Sequence, residues 1–259
     1  MHEIVEIGAG YWSIRGDFKI AGLLNVGTQA ALVRLSDGRF VMLDSYTLSP
    51  EVLAEVARIT GGDDRVAAIL NLHPFHTLHC EAMHRQFPAA KLYGTARHKA
   101  RFPDLPWEPL VTEDPALWPA FAPDLDFSVP PGVAFIPENE NLHFASVLAY
   151  HRPSGTIHVD DTFTSLPPGR IGRALGRRAR ISFHMTLPKV LEPRAGAVAD
   201  FRAWAERLAE DWGDARHLCA AHNAVLDVDR LGADSFADAM RDALARVEPK
   251  LKAHAATYG

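Results

Sequence analysis

The sequence predicts an α/β chain built as a four-layer αβ/βα sandwich, with two mixed β-sheets packed face to face and helices outside. Two β-rich stretches each run into helical segments, which is the pattern of layered α/β architecture. VAAILNL (66–72) is a continuous apolar run of the kind found in strands covered on both faces. With 259 residues and 47% hydrophobic content the chain can bury such a core, and 1–259 reads as one domain.

The elements follow in order. IVEI, YWSIR, ALVRL and FVMLD alternate with turns, and Ser36-Asp37-Gly38 joins the last two, so an antiparallel meander opens the chain. Ser49-Pro50-Glu51 supplies a capping serine and a first-turn proline for the helix VLAEVARI, which Gly61-Gly62 ends. After VAAILNL, TLHCEAMHRQF (77–87) reads as a helix capped by Thr77, followed by the strand KLYG and a basic helix near 95–102. Pro103 to Pro131 holds eight of the 18 prolines, which argues for a long ordered loop packed by Trp107, Trp118 and Phe121. VAFIP then resumes the β content, and SVLAYH and TIHVD flank a second hairpin turn at Arg152-Pro153-Ser154-Gly155. The last third reads as helices near 170–178, 196–212 and 234–255, interrupted by one strand, HLCAA (217–221).

A net charge of −5 gives no general reason to bind nucleic acid or an anionic membrane. Apolar runs are too short to span a bilayer, and the N-terminus lacks the pattern of an export signal. Two widely separated cysteines, Cys80 and Cys219, form no disulfide framework and read as small structural thiols, so the cytoplasm is the expected location. A small molecule is the expected partner, and a homo-oligomer stays open. The arginine run RIGRALGRRAR reads as a solvated helix face or a flap for an anionic substrate, with Arg173 and Arg177 one turn apart.

The 13 histidines carry the chemistry. His73, His76 and His79 sit just past the carboxyl end of the buried strand, where open α/β sheets place ligands, and a loop can curl three imidazoles toward one point. His143 precedes SVLAY, Asp161 follows TIHVD and His222 follows HLCAA, so a carboxylate and two more imidazoles stand at or near strand ends. That donor set suits Zn²⁺ or Fe. Glu81, Asn139 and Glu140 are nearby in sequence but read as surface residues. His84, His98, His151, His158, His184, His217 and His254 have no motif support.

These blocks resemble the metallo-β-lactamase fold superfamily over most of the chain. The resemblance lies in Leu43-Asp44-Ser45 after the meander, in the His73–His79 loop against the family's H-x-H-x-D-H, in His143 before a hairpin, in Asp161 within Asp160-Asp161-Thr162-Phe163, and in His222 within CAAHNAVL. The family aspartate is absent, because no acidic residue occurs between Arg65 and Cys80. Anchoring on His76 and His79 puts Leu78 at its position; anchoring on His73 puts Thr77 there. The resemblance implies a first ion on His73, His76 and His143, and a weaker second on His79, Asp161 and His222 with Asp161 bridging. One or two zinc ions are expected, with iron as the other choice. Asp44 is expected to accept the N–H of a ligand histidine. The implied activity is hydrolysis of an ester, lactone, thioester, amide or phosphoester bond by an activated water. A binding or regulatory protein with a degenerate metal site, and a mononuclear iron oxidoreductase, are the other readings.

Overall fold

A computed structural model of the chain describes residues 3–16, 19–20, 24–25, 28–62, 65–166, 178–221, 225–228 and 231–259. Two mixed β-sheets and helices make an α/β sandwich fold. The chain divides into two units, Met1–Phe127 with Val147–His158, and Ser128–Ser146 with Val159–Gly259. Among the described residues no helix is long and apolar enough to cross a membrane.

The first unit begins with β1 (Glu3–Gly8), β2 (Tyr11–Gly16), the short pair β3 (Lys19–Ile20) and β4 (Leu24–Asn25), β5 (Thr28–Arg34) and β6 (Phe40–Leu43). The expected meander forms: β1, β2, β5 and β6 pair antiparallel in that order, and Gly38 takes the left-handed conformation (φ 83°) that the β5–β6 turn requires. Helix α1 (Pro50–Thr60) starts where the sequence places it. Ser49 Oγ accepts from the Val52 N–H, Pro50 occupies the first turn, and Gly61 closes the helix in the left-handed conformation. Ser49→Ala is expected to cost about 1 kcal/mol of stability, read from urea unfolding at neutral pH.

The crossover through α1 lets β7 (Val66–Leu70) pair parallel to β6, and β8 (Lys91–Tyr93) pairs parallel to β7. Between them lies α2 (Cys80–Gln86), and after them α3 (Ala96–Arg101). Ile14, Leu32, Met42, Val52, Val56, Ile69, Met83 and Phe87 form the buried cluster that joins α1 and α2 to this sheet. β9 (Leu125–Ser128), β10 (Leu148–His151) and β11 (Thr156–Val159) follow, with β10 between the other two and the expected hairpin joining β10 to β11.

The second unit holds two antiparallel pairs, β12 (Phe163–Leu166) with β13 (Arg180–Phe183) and β14 (His217–Ala220) with β15 (Leu226–Asp227). Its helices are α4 (Leu187–Val190), α5 (Ala197–Asp211) and α6 (Phe236–Tyr258). Phe163, Phe183, Phe201 and Trp204 form an aromatic core with centroids 5.1–6.4 Å apart. Glu248 on α6 takes both ends of the Arg202 guanidinium from α5, at 2.7 and 3.0 Å.

Four expectations are corrected. Helix α2 starts three residues later than expected: His79 stands at its N-cap, and Thr77 is buried in the loop instead of capping. VAFIP forms no strand, since only Val133 bridges, to Leu191, and Ile136 faces solvent at 41% exposure. The proline-rich loop contains a 3-10 turn at Trp118–Phe121 and runs into β9. The C-terminal third contains two strand pairs where one strand was expected, because β12, β13 and β15 are too short to show a period. The Pro167-Pro168-Gly169 turn, Arg173, Arg177 and His222 lie outside the described residues.

Candidate metal centre

Asp44 leaves β6 with φ 58°, the only non-glycine residue with positive φ among those described. Such backbone costs about 1–3 kcal/mol unless its surroundings hold it, and here they do. Asp44 N–H donates to Leu70 O at 2.8 Å, and Oδ1 accepts from the Leu72 N–H at 2.8 Å, so the carboxylate fixes the start of the histidine loop. Oδ2 lies 2.8 Å from His158 Nε2, and His158 Nδ1 lies 2.9 Å from the Tyr11 hydroxyl. Asp44 therefore bonds to His158, a residue without motif support. Burial alone would raise the Asp44 pKa. The hydrogen bond and charge of His158, the Leu72 N–H and the field of His76 outweigh burial and lower it to about 2.

The loop after β7 turns tightly, with His76 N–H donating to His73 O and Thr77 N–H to Phe75 O. This stacks the His73 and His76 rings at 4.1 Å between centroids and brings ligand nitrogens of the two within 4.8 Å. Phe75 N–H donates to His73 Nδ1 at 3.2 Å, which keeps the proton of neutral His73 on Nε2. Ligation through His73 Nε2 thus requires that this bond give way. His79 turns elsewhere: Nδ1 lies 2.8 Å from Thr47 Oγ1, and the ring packs edge-to-face with Tyr46, centroids 5.1 Å apart. Burial, and next the field of His76, lowers the His79 pKa. Leu78 projects into solvent at 69% exposure, whereas Thr77 is buried. Tyr46 lies so close to Gly16 on β2 that a Cβ there would enter its ring.

In the second unit His143 and Asp161 meet across 18 residues of sequence. His143 Nε2 lies 2.7 Å from Glu140 O, a pure acceptor, so in the neutral ring Nε2 carries the proton and Nδ1 presents a lone pair. That Nδ1 stands 3.6 Å from Asp161 Oδ2, beyond hydrogen-bond range. Two ligand atoms on one tetrahedral ion at ~2.0–2.2 Å are about 3.4 Å apart, so this separation fits a shared cation. A ligating histidine whose other N–H is held by a carbonyl is the usual supporting arrangement. Buried Thr162 secures both neighbours: its hydroxyl donates to Phe144 O at 2.9 Å and accepts from the Ser146 N–H at 3.2 Å. Thr186 Oγ1 donates to His143 O.

Each unit thus brings together part of the expected set: His73 with His76 in one, His143 with Asp161 in the other. Sequence reasoning missed His158 and His98. The signal for His98 was Thr95 three residues upstream: His98 fills the N3 position of a capping box in the first turn, with Thr95 N–H donating to its Nδ1. Cys80 is buried, its pKa is pushed up to about 12 by burial and next by Asp44, and it is an inert thiol.

Comparison with solved structures shows that the chain has the metallo-β-lactamase fold. It superposes on the metallo-β-lactamase of Erythrobacter litoralis with TM-score 0.61 at 13% identity, covering 96% of each chain. For the enzyme FIM-1 of Pseudomonas aeruginosa, solved in a mono-zinc form, the TM-score is 0.59 at 14% identity, covering 98% of this chain and 96% of that one. The enzyme of Pontibacter korlensis gives 0.57 at 14% identity, covering 95% and 99%. No protein-family profile and no curated protein matches the chain.

Proposed function

We propose that this chain is a metal-dependent hydrolase acting on a small-molecule ester, lactone, thioester, amide or phosphoester, with zinc as its metal. The observation that carries the reading is the lone pair of His143 Nδ1 facing Asp161 Oδ2 at 3.6 Å, a donor pair spaced for one cation. His143, Asp161, His76 and His73 are the proposed ligands, following the order of motifs that resembles the fold family, with His79 and His222 at a weaker second ion. The mono-zinc form of the Pseudomonas enzyme supports a single ion as sufficient for the fold.

A bound zinc would polarise a carbonyl or phosphoryl oxygen and bring the pKa of a water toward neutrality. The chain's residues do the rest. Glu140 O holds the proton of the neutral His143 ring on Nε2, which leaves Nδ1 as the ligand atom. Thr162 fixes the His143 and Asp161 segments against each other. Asp44 holds the entry to the histidine loop from behind. A cytoplasmic location, an uncharged or anionic small substrate and no nucleic-acid or membrane partner accompany this reading.

The test is elemental analysis of protein purified from medium containing zinc and iron, followed by assay of the zinc-loaded protein on an ester, a lactone, a thioester, an amide and a phosphodiester. Near-stoichiometric zinc and turnover abolished by chelation are expected. Iron in its place would move the chain to the oxidoreductase reading. Failure to take up either metal after reconstitution would make it a binding protein.

A further inference from the structure

Helix α3 sits against the histidine loop within the first unit, and two adjacent side chains of its first turns grip that loop. Arg97 Nη1 donates to Pro74 O at 3.2 Å, and its guanidinium lies 4.6 Å from the centre of the Phe75 ring. His98 reaches the other side. Its Nδ1 accepts from the Thr95 N–H at 3.2 Å, which puts the proton of the neutral ring on Nε2 and directs it at His76 O, 3.4 Å away. The carbonyls of residues 74 and 76 are thereby held on either side of Phe75, in the three-residue span that sets the direction of both imidazoles.

We propose that Arg97 and His98 form a clamp that fixes the His73–His76 loop before any metal arrives, with Arg97 as a positioning residue for the metal ligands. The inference rests on reading that loop as a ligand loop. His98 is fully buried and Arg97 half-buried, so substitution at 97 tests the clamp with least risk to folding. A planar guanidinium can stack on Phe75 and donate to Pro74 O together, whereas lysine can supply only a point-charge donor.

Two measurements on the full chain decide it. In the metal-free protein, hydrogen exchange is followed at the amides of His76 and Thr77, which donate within the loop. Arg97→Ala is expected to speed exchange there about 10-fold, while β7 amides keep wild-type protection, and Arg97→Lys recovers part of the loss. In the second measurement, zinc affinity by chelator competition is expected to fall about 10–100-fold in Arg97→Ala, with an altered visible spectrum when Co²⁺ is bound. Unchanged exchange at His76 and Thr77 overturns the clamp. Faster exchange with wild-type zinc affinity and cobalt spectrum overturns its role in positioning ligands. If the wild-type chain binds no zinc, the hydrolase reading fails, and the exchange arm alone decides the clamp.

Discussion

Replacing His143 by alanine, or Asp161 by asparagine, is expected to weaken zinc binding by at least about 100-fold, more than the 10–100-fold typical of a supporting residue. The two side chains face each other at 3.6 Å, and removing either would leave a bound ion with one strong ligand fewer. Chelator competition on the purified variants reads the affinity. A matched change at His254, which packs on Tyr258 along α6, serves as the control and should leave it untouched. Wild-type affinity in both His143→Ala and Asp161→Asn would end the proposed ligand assignment. Retention of hydrolysis after complete zinc removal would end the metal mechanism as well.

The other large effect belongs to Asp44. Asp44→Ala is expected to cost about 3–5 kcal/mol, the usual loss when one member of a buried charged or hydrogen-bonded pair is removed. It deprives both His158 and the Leu72 N–H of their acceptor. Asp44→Asn keeps the size and one acceptor, and should lose less. The pH dependence follows from the direction of the shift. The folded-state pKa, about 2, is depressed below the ordinary 3.8, so the unfolded chain binds the proton more readily. The Asp44 contribution is therefore complete above the ordinary carboxylate value and is lost as pH falls through about 2. Urea unfolding of wild type and Asp44→Asn between pH 7 and pH 2 measures it: the gap between the two should narrow toward the acid end. A constant gap would mean that the carboxylate charge contributes nothing.

Local signals made much of the fold legible. The capping serine, the first-turn proline and the closing glycine of α1 act on their immediate neighbours, and each does in the structure what its chemistry dictates. The meander followed from the Asp-Gly turn and the alternating strands. VAFIP misled because apolar letters show what prefers burial and not whether a ladder partner exists, and prolines bound it on both sides. The order of motifs pointed to His143 and Asp161, and the strand end to His73 and His76, and the members of each pair lie side by side in the structure. The Asp44–His158 bond spans 114 residues, and no short-range pattern in the chain announces it. Nor could sequence reveal the tautomers, since they depend on which carbonyl or N–H faces each ring: Glu140 O for His143, the Phe75 N–H for His73 and the Thr95 N–H for His98.

Gly16 gives β2 a reach that its distance in sequence from the histidines does not suggest. The room above its Cα is filled by the Tyr46 ring, against which His79 packs. A side chain of any size at residue 16 must displace that ring, and His79 loses its wall while every donor atom of the loop is still encoded. Gly16→Ala should therefore disturb the His79 environment although residue 16 lies far from the histidines in sequence. Pairing Gly16→Ala with Tyr46→Leu, which vacates the space, should restore what the single change removes.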